Sequence, residues 1–251
     1  MTKLDIFQIS VMKRKLEIIF LEYLIYLQDY WKKLKESKEE EQLENIEKPD
    51  LSKLRIEVRH YTDMWQAIKD ATMTTIGKDS GKYPDEAWKS KLLMAEHSPI
   101  RAGYFLVKIY NAPQFVHGHL VRHHIGATPF ISTLRSDRTD YDKVPDRNTL
   151  QNGEYLFNFQ SIINISRKRL CNCASYETRY VWRKVLEEIE IYEPELVKIC
   201  RRECVYRGFC PEMFQCKQKY TETKAFKKEL EEYQALKTKY EQEAEYQAMV
   251  E

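Results

Sequence analysis

Apolar positions along the 251 residues follow two rhythms, a three- and four-residue spacing over long stretches and a strict alternation over short ones. The first 45 residues read as helix, with Leu16, Ile19, Phe20, Tyr23, Leu24, Leu27, Tyr30, Trp31 and Leu34 on one stripe. A charged stretch, 32–48, follows and Pro49 ends it. Residues 54–59 alternate like a strand. Residues 64–76 predict a helix, 77–84 a loop and 88–95 a short helix. The run 104–110 (YFLVKIY) is β-rich and predicts a buried strand. Pro113 allows a new helix through about residue 122. Residues 137–153 are polar and read as loop, while 155–169 and 174–190 read as helices. From Thr221 onward Phe226, Leu230, Tyr233, Leu236, Tyr240 and Ala244 line one face of an amphipathic helix. No internal repeat interrupts this order. Helix predominates with a few strands, so the class is α+β or α/β. The organisation expected is a helical arm over 1–50, a body over 51–220 and a C-terminal amphipathic helix over 221–251.

Composition narrows the function. Lys+Arg number 41 and Asp+Glu 39, a net charge of +2 that argues against a polybasic nucleic-acid binder. The apolar run 18–27, broken by Glu22, is about half the length that spans a bilayer, and no small-residue cleavage site follows it. A soluble, cytoplasmic protein without a membrane partner is expected. Only seven residues are glycine, against a usual share of about 7%. No two are separated by a single residue, so neither the G-x-G-x-x-G fingerprint nor a P-loop can be written here. A bound nucleotide or flavin would have to be held by side chains.

Such side chains are concentrated in one place. Four of the six histidines, His117, His119, His123 and His124, fall within eight residues, with Arg122 among them. His119 and His123 have the i, i+4 spacing of a metal pair, but the run lacks a carboxylate and Arg122 would repel a cation. Satisfied structural histidines are the plainer alternative. An anion or cofactor site is the better reading, because imidazole donates a hydrogen bond and stacks, and guanidinium forks onto phosphate. Arg135, Arg138, Arg147, Arg167, Arg169 and Arg179 recur at expected loops and helix ends. Singly these would be surface ion pairs. Together with the histidines and Ser132 they suggest a pocket for a phosphorylated ligand.

Arg122-His123-His124, then seven residues, then Ser132 resembles the R-H-R-x7-S signature of flavin-dependent thymidylate synthases, with His124 in place of the second arginine. Glu96-His97-Ser98-Pro99 resembles the family's His/Glu-rich segment. Asn158, Asn164 and Arg169 keep its N-x5-N-x4-R spacing, and Ala174 and Glu177 match the helix start beyond. The resemblance covers about residues 54–216. The chain departs from the pattern at His119, where the family has glutamine. It departs again at Pro129-Phe130 and at Leu134, which shifts the next arginine to Arg135. The runs H-L-V-R-H, S-x2-R-x-D-R, S-R-K-R-L-C and C-x-Y-R-G-F-C-P-E resemble a divergent, often viral or phage-like branch.

The resemblance implies a mixed sheet flanked by helices and a homotetramer with active sites between subunits. It implies that Ser98, Arg122, His123, His124, Ile125, Asn158, Asn164 and Arg169 hold FAD. His119, Ser132, Arg135, Arg138 and Arg169 would grip dUMP, with Arg169 stabilising charge on the pyrimidine and Ser132 positioning it. The implied reaction is reductive methylation of dUMP at C5. Methylene-tetrahydrofolate supplies the carbon and NADPH the electrons. A hydroxymethylase making 5-hydroxymethyl-dUMP is the nearest alternative. From another class, a zinc-stabilised binding module could be built on Cys200, Cys204, Cys210 and Cys216, although their spacing lacks a C-x2-C pair. All six cysteines lie in 171–216, and buried free thiols are the first expectation, with disulfides last in a cytoplasm. Trp182, beside Val185 and Leu186, is expected in the core rather than against a cofactor.

Overall fold

The structure, a computed structural model, describes residues 49–60 and 64–250, with side chains for 49–59 and 64–239. The helix expected over 1–45 lies outside the described residues, as does all of the expected arm except Pro49 and Asp50. Side chains of Tyr240 and Ala244 lie outside them too.

The described elements, in chain order, begin with β1 (Arg55–His60), α1 (Met64–Thr75) and α2 (Glu86–Ala95). A 3-10 turn (Ser98–Ala102) leads into β2 (Tyr104–Pro113), α3 (Gln114–Leu120), β3 (Ala127–Ile131) and β4 (Leu150–Asn158). The helices α4 (Phe159–Arg169), α5 (Tyr176–Glu190), α6 (Pro194–Ile199) and α7 (Glu203–Arg207) follow. A second 3-10 turn (Tyr220–Glu222) precedes α8 (Lys224–Val250). The strands form one sheet in the order β1-β2-β4-β3. Every described pair is antiparallel: Arg55 stands opposite Tyr110, Tyr104 opposite Asn158 and Ala127 opposite Phe157. The sheet is therefore not mixed as expected, and the class is α+β. Alternate residues of β2 (Phe105, Val107, Ile109) and β4 (Tyr155, Phe157) are buried. Helices α3 and α4 pack against β4, and α5 against β1, so these side chains become the core.

Two strands differ from the sequence reading. Residues 150–158, read partly as loop and partly as the start of a helix, form β4, between β2 and β3. The helix begins only at Phe159, where Asn158 turns extended and its side chain accepts a hydrogen bond from Ser161 N at 2.8 Å. Such a cap contributes about 1 kcal/mol and fixes the helix start. Residues 127–131, not read as a strand, form the edge strand β3, where Pro129 is tolerated. Smaller differences have local causes. Helix α2 starts at Glu86 rather than residue 88 because Asp85 caps it, accepting from Trp88 N. Helix α3 ends at Leu120 rather than 122.

Gly153 explains the missed strand. A Cβ there would stand 2.7 Å from the ring of His117, so the inward position is filled by a neighbour's imidazole rather than its own side chain. His117 Nε2–H donates to Gln151 O at 3.1 Å and its Nδ1 accepts from Tyr155 Oη at 2.7 Å. Burial holds its pKa below the ordinary histidine value and raises that of Tyr155. This histidine is a neutral structural group.

α8 packs on α2 and α7, burying Phe226 and Tyr233 with Cys204 and Val205. No helix among the described residues is long and apolar enough to cross a membrane.

Candidate active site

The segment 121–126 leaves the C-terminus of α3, bends at Gly126 (φ +73°) and enters β3. It runs beside the N-terminal half of α4, which Asn158 N ties to Gly126 O at 2.9 Å. Ser161, Asn164 and Ile165, at i, i+3 and i+4, share one face of α4. That face and Arg122, His123, His124 and Ile125 line a cavity of about 160 Å3. A Cβ on Gly126 would fall 2.5–2.7 Å from the Asn158 amide, in a backbone region that L residues avoid. Gly126→Ala is expected to cost at least about 1–2 kcal/mol. It should also weaken ligand binding at the cavity, because it displaces both the loop and the helix cap. Denaturant unfolding and a binding titration check the two effects.

Arg169 ties the far end of α4 to the histidines. Its Nε donates to His123 Nε2 at 2.9 Å and its Nη2 to His119 O at 2.7 Å. Guanidinium is only a donor, so His123 Nε2 must accept and the ring proton sits on Nδ1. Burial first, and then the charge of Arg169, push the His123 pKa down to about 4. The imidazole is thus neutral near pH 7. Its lowered pKa opposes protonation in the fold, so this contribution to stability is complete above pH 6.5 and is lost as the pH falls through about 4. An NMR titration of histidine ring nitrogens should find a His123 ring still neutral, protonated at Nδ1, at pH 5.5. A pKa near 6.5 would contradict the pairing.

Asn164 is oriented from behind. Its Oδ1 accepts from Arg167 Nη1 at 3.2 Å and Gln160 Nε2 at 3.4 Å. Its amide hydrogens are the group left for the cavity. Glu96 fixes both partners, accepting from Gln160 Nε2 at 2.6 Å and pairing with Arg167 Nη2. Arg167 lies over the Tyr206 ring at 3.7 Å. His119, whose ring Nδ1 is 2.8 Å from Thr178 Oγ1, stands behind Arg169 rather than on the cavity wall. Burial and then Arg169 hold its pKa below the ordinary value.

The residues expected to bind flavin are thus partly gathered. Arg122, His123, His124, Ile125 and Asn164 line the cavity, Arg169 reaches it through His123, and Asn158 caps the helix beside it. Ser98 opens the 3-10 turn and is exposed, outside the lining. Of the residues expected to bind substrate, Arg169 and His119 meet, whereas Ser132, Arg135 and Arg138 lie on a separate loop. Ser132 is engaged with β4: its Oγ accepts from Asn152 N at 3.1 Å and its carbonyl from Gln151 Nε2 at 2.8 Å. Arg135 forks onto Asp137 at 2.9 and 2.6 Å, and Arg138 is exposed on the same loop. Ser161 and Ile165 were not singled out in the sequence, although their spacing from Asn164 on α4 carries the signal. Glu96 and Arg167 were noted without their joint role, which tertiary pairing across 71 residues creates.

The lining has guanidinium, imidazole and amide groups and no carboxylate. Such a set suits phosphate oxygens and the carbonyl edges of a flat heterocycle. Among the described residues no group of three or more His, Cys, Asp or Glu side chains is arranged to hold a metal ion.

The antiparallel α+β architecture is similar to the fold of a solved flavin-dependent thymidylate synthase. A crystal structure of thymidylate synthase X from Helicobacter pylori with FAD and dUMP matches with a TM-score of 0.50 and 14% identity, covering 59% of this chain and 98% of that one. A second crystal structure of the Helicobacter pylori enzyme, complexed with FAD and dUMP, gives 0.49 at 13% identity over 59% of this chain and 100% of that one. A UMP/dUMP methylase, PolB, from Streptomyces cacaoi bound with 5-Br dUMP gives 0.48 at 13% identity over 64% and 96%. No family model matches the chain, and no curated protein does.

Proposed function

We propose that this protein is a flavin-dependent thymidylate synthase, a cytoplasmic enzyme of nucleotide biosynthesis that methylates dUMP at C5. Methylene-tetrahydrofolate would supply the carbon and NADPH the reducing electrons. The observation that carries the reading is the Arg169–His123 pair set beside Arg122, His124 and Asn164 around one cavity.

The donor set fits FAD. Arg122 supplies fixed positive charge, the neutral His123 a ring N–H, and Asn164 a locked amide donor, so phosphate and ring carbonyls are met without a glycine cradle. Ile125, 79% exposed, offers an apolar surface to a flat ring. When bound, FAD supplies the hydride chemistry that none of these side chains can perform. This chain's own residues bind and orient. Arg169, held by His119 O and His123, presents a guanidinium to charge developing on the pyrimidine. Ser132 and its loop position the substrate.

A single chain supplies part of this site. Its cavity is smaller than the ~300–1,000 Å3 usual for a ligand of this size. The Ser132–Arg138 loop lies outside the lining, and Arg122 and Ile125 are exposed. A homotetramer, in which a neighbour's Ser132–Arg138 loop closes the cavity, would complete it. The test is incubation with dUMP, methylene-tetrahydrofolate, NADPH and FAD, followed by mass spectrometry of the nucleotide. Gain of a methyl group supports the reading. A hydroxymethyl product would give the flavin site to a hydroxymethylase instead, and recovery of unchanged dUMP would contradict both.

A further inference from the structure

The last turn of α4 carries three cations, Arg167, Lys168 and Arg169. Arg167 is turned back onto Glu96, and Arg169 is held by His123 and the His119 carbonyl. Lys168 has a different partner. Its Nζ donates to Glu212 Oε1 at 2.9 Å, on the irregular segment between α7 and the second 3-10 turn. A cation at a helix C-terminus is favoured by the macrodipole whatever else it does. Position and pairing set Lys168 apart.

The stripe of α4 that lines the cavity is Ser161, Asn164 and Ile165. Lys168 comes four residues after Asn164 and three after Ile165, so it continues that stripe, about 6 Å further along the axis. Its Cα–Cβ bond tilts toward the helix N-terminus, and so toward the cavity. A lysine stem is long enough to cover one helical turn. The charge is also felt at the cavity wall: burial first, then Arg169, His124 and Lys168, lower the His123 pKa. The pairing is loose. Lys168 and Glu212 side chains are 49% and 32% exposed, and an ion pair so open to water is weak. A phosphate group, with more charge than one carboxylate, can therefore take the ammonium from Glu212.

We propose that Lys168 is a further anion-binding residue of this cavity, contacting a phosphate group of its ligand, and that Glu212 is its internal counter-ion. The carboxylate competes with the phosphate for one ammonium. No covalent bond changes; Nζ exchanges one acceptor oxygen for another by rotation about its own side-chain bonds. Glu212 thereby sets affinity from outside the lining, which itself holds no carboxylate. The proposal rests on the flavin reading only in taking the ligand to carry phosphate.

Calorimetric titration of the full-length protein with pyrophosphate, FAD and dUMP tests it. Lys168→Gln should lower pyrophosphate affinity at least about tenfold, the loss of one charge-assisted contact, while Lys168→Arg retains most of it. Glu212→Gln should raise the affinity about two- to fivefold, the range of an exposed ion pair. That gain should vanish in the Lys168→Gln background, because the two residues act through each other. The FAD and dUMP arms show which ligand places its phosphate here, since that one follows the pyrophosphate pattern. Wild-type protein that binds no pyrophosphate, or binds it as tightly as Lys168→Gln does, would overturn the proposal. So would a Glu212→Gln gain that persists without Lys168. FAD binding by the wild type would leave the flavin reading standing in each of those cases. Conversely, Lys168-dependent pyrophosphate binding in protein that leaves FAD free would support the anion contact and contradict the flavin reading.

Discussion

Arg169→Ala is expected to lower thymidylate formation by about 10²-fold or more, the usual effect of removing one donor aimed at developing charge. The loss has two parts. The guanidinium that would face the pyrimidine disappears, and His123 loses the partner that fixes its tautomer and orientation. With the Arg169 charge removed, the His123 pKa should rise from about 4, though not to its ordinary value, because burial is the larger cause. Steady-state kinetics and the NMR titration report the two parts separately. Thermal unfolding close to wild type, with activity lost, assigns the effect to the site. Full activity in the variant would remove Arg169 from the mechanism.

Trp182→Ala is expected to be the most destabilising single change considered, at about 3–5 kcal/mol. The side chain is fully buried, its Nε1 donates to Ser166 Oγ at 3.0 Å, and its ring meets Phe157 edge-on at 5.6 Å. It joins α5 to β4 and to α4, which carries one wall of the cavity. Denaturant unfolding measures the loss. The fraction that stays folded should bind flavin with a normal spectrum, since the ring lies in the core and not in the cavity lining. Unchanged stability with an altered flavin spectrum would reverse that assignment.

Which parts of this architecture are visible in the sequence follows from how each element is buried. β1 alternates apolar and polar residues, β2 is a nearly continuous β-rich apolar run, and α5 carries a full apolar stripe through Val181, Val185 and Ile189, so local pattern alone reveals them. β4 hides because two of its inward positions are Gln151 and Gly153, and because Asn152-Gly153 reads as a turn. Its inward pattern becomes intelligible only once His117 is seen filling the space beside Gly153. β3 is a short edge strand containing proline, and its pairing with β4 is settled by tertiary contact.

The site divides similarly. Arg122-His123-His124 and Asn158, Asn164 and Arg169 stand out by residue type and spacing, and the fold sets these two stretches side by side. The pairing of Glu96 with Arg167 and Gln160, which turns the Asn164 amide toward the cavity, is invisible to any local pattern. The Ser132–Arg138 loop sits apart from the cavity in one chain because its groups bond to β4 and to Asp137. The cysteine positions are plain in the sequence, but tertiary packing decides which of them meet: Cys171, Cys204, Cys210 and Cys216 line one small cavity, while Cys200 is buried in the main core.

The proposed function depends on the guanidinium, imidazole and amide donors of 122–125 and 164–169 enclosing a flavin. An equilibrium titration of purified wild-type protein with FAD, followed by visible absorbance and flavin fluorescence and repeated with Arg122→Ala, tests it most directly. Saturable binding at one FAD per chain, weakened at least about tenfold in the variant as expected for loss of a charge-assisted phosphate contact, is the predicted result. Protein that leaves FAD free in solution, or binds it equally well without Arg122, would contradict the account.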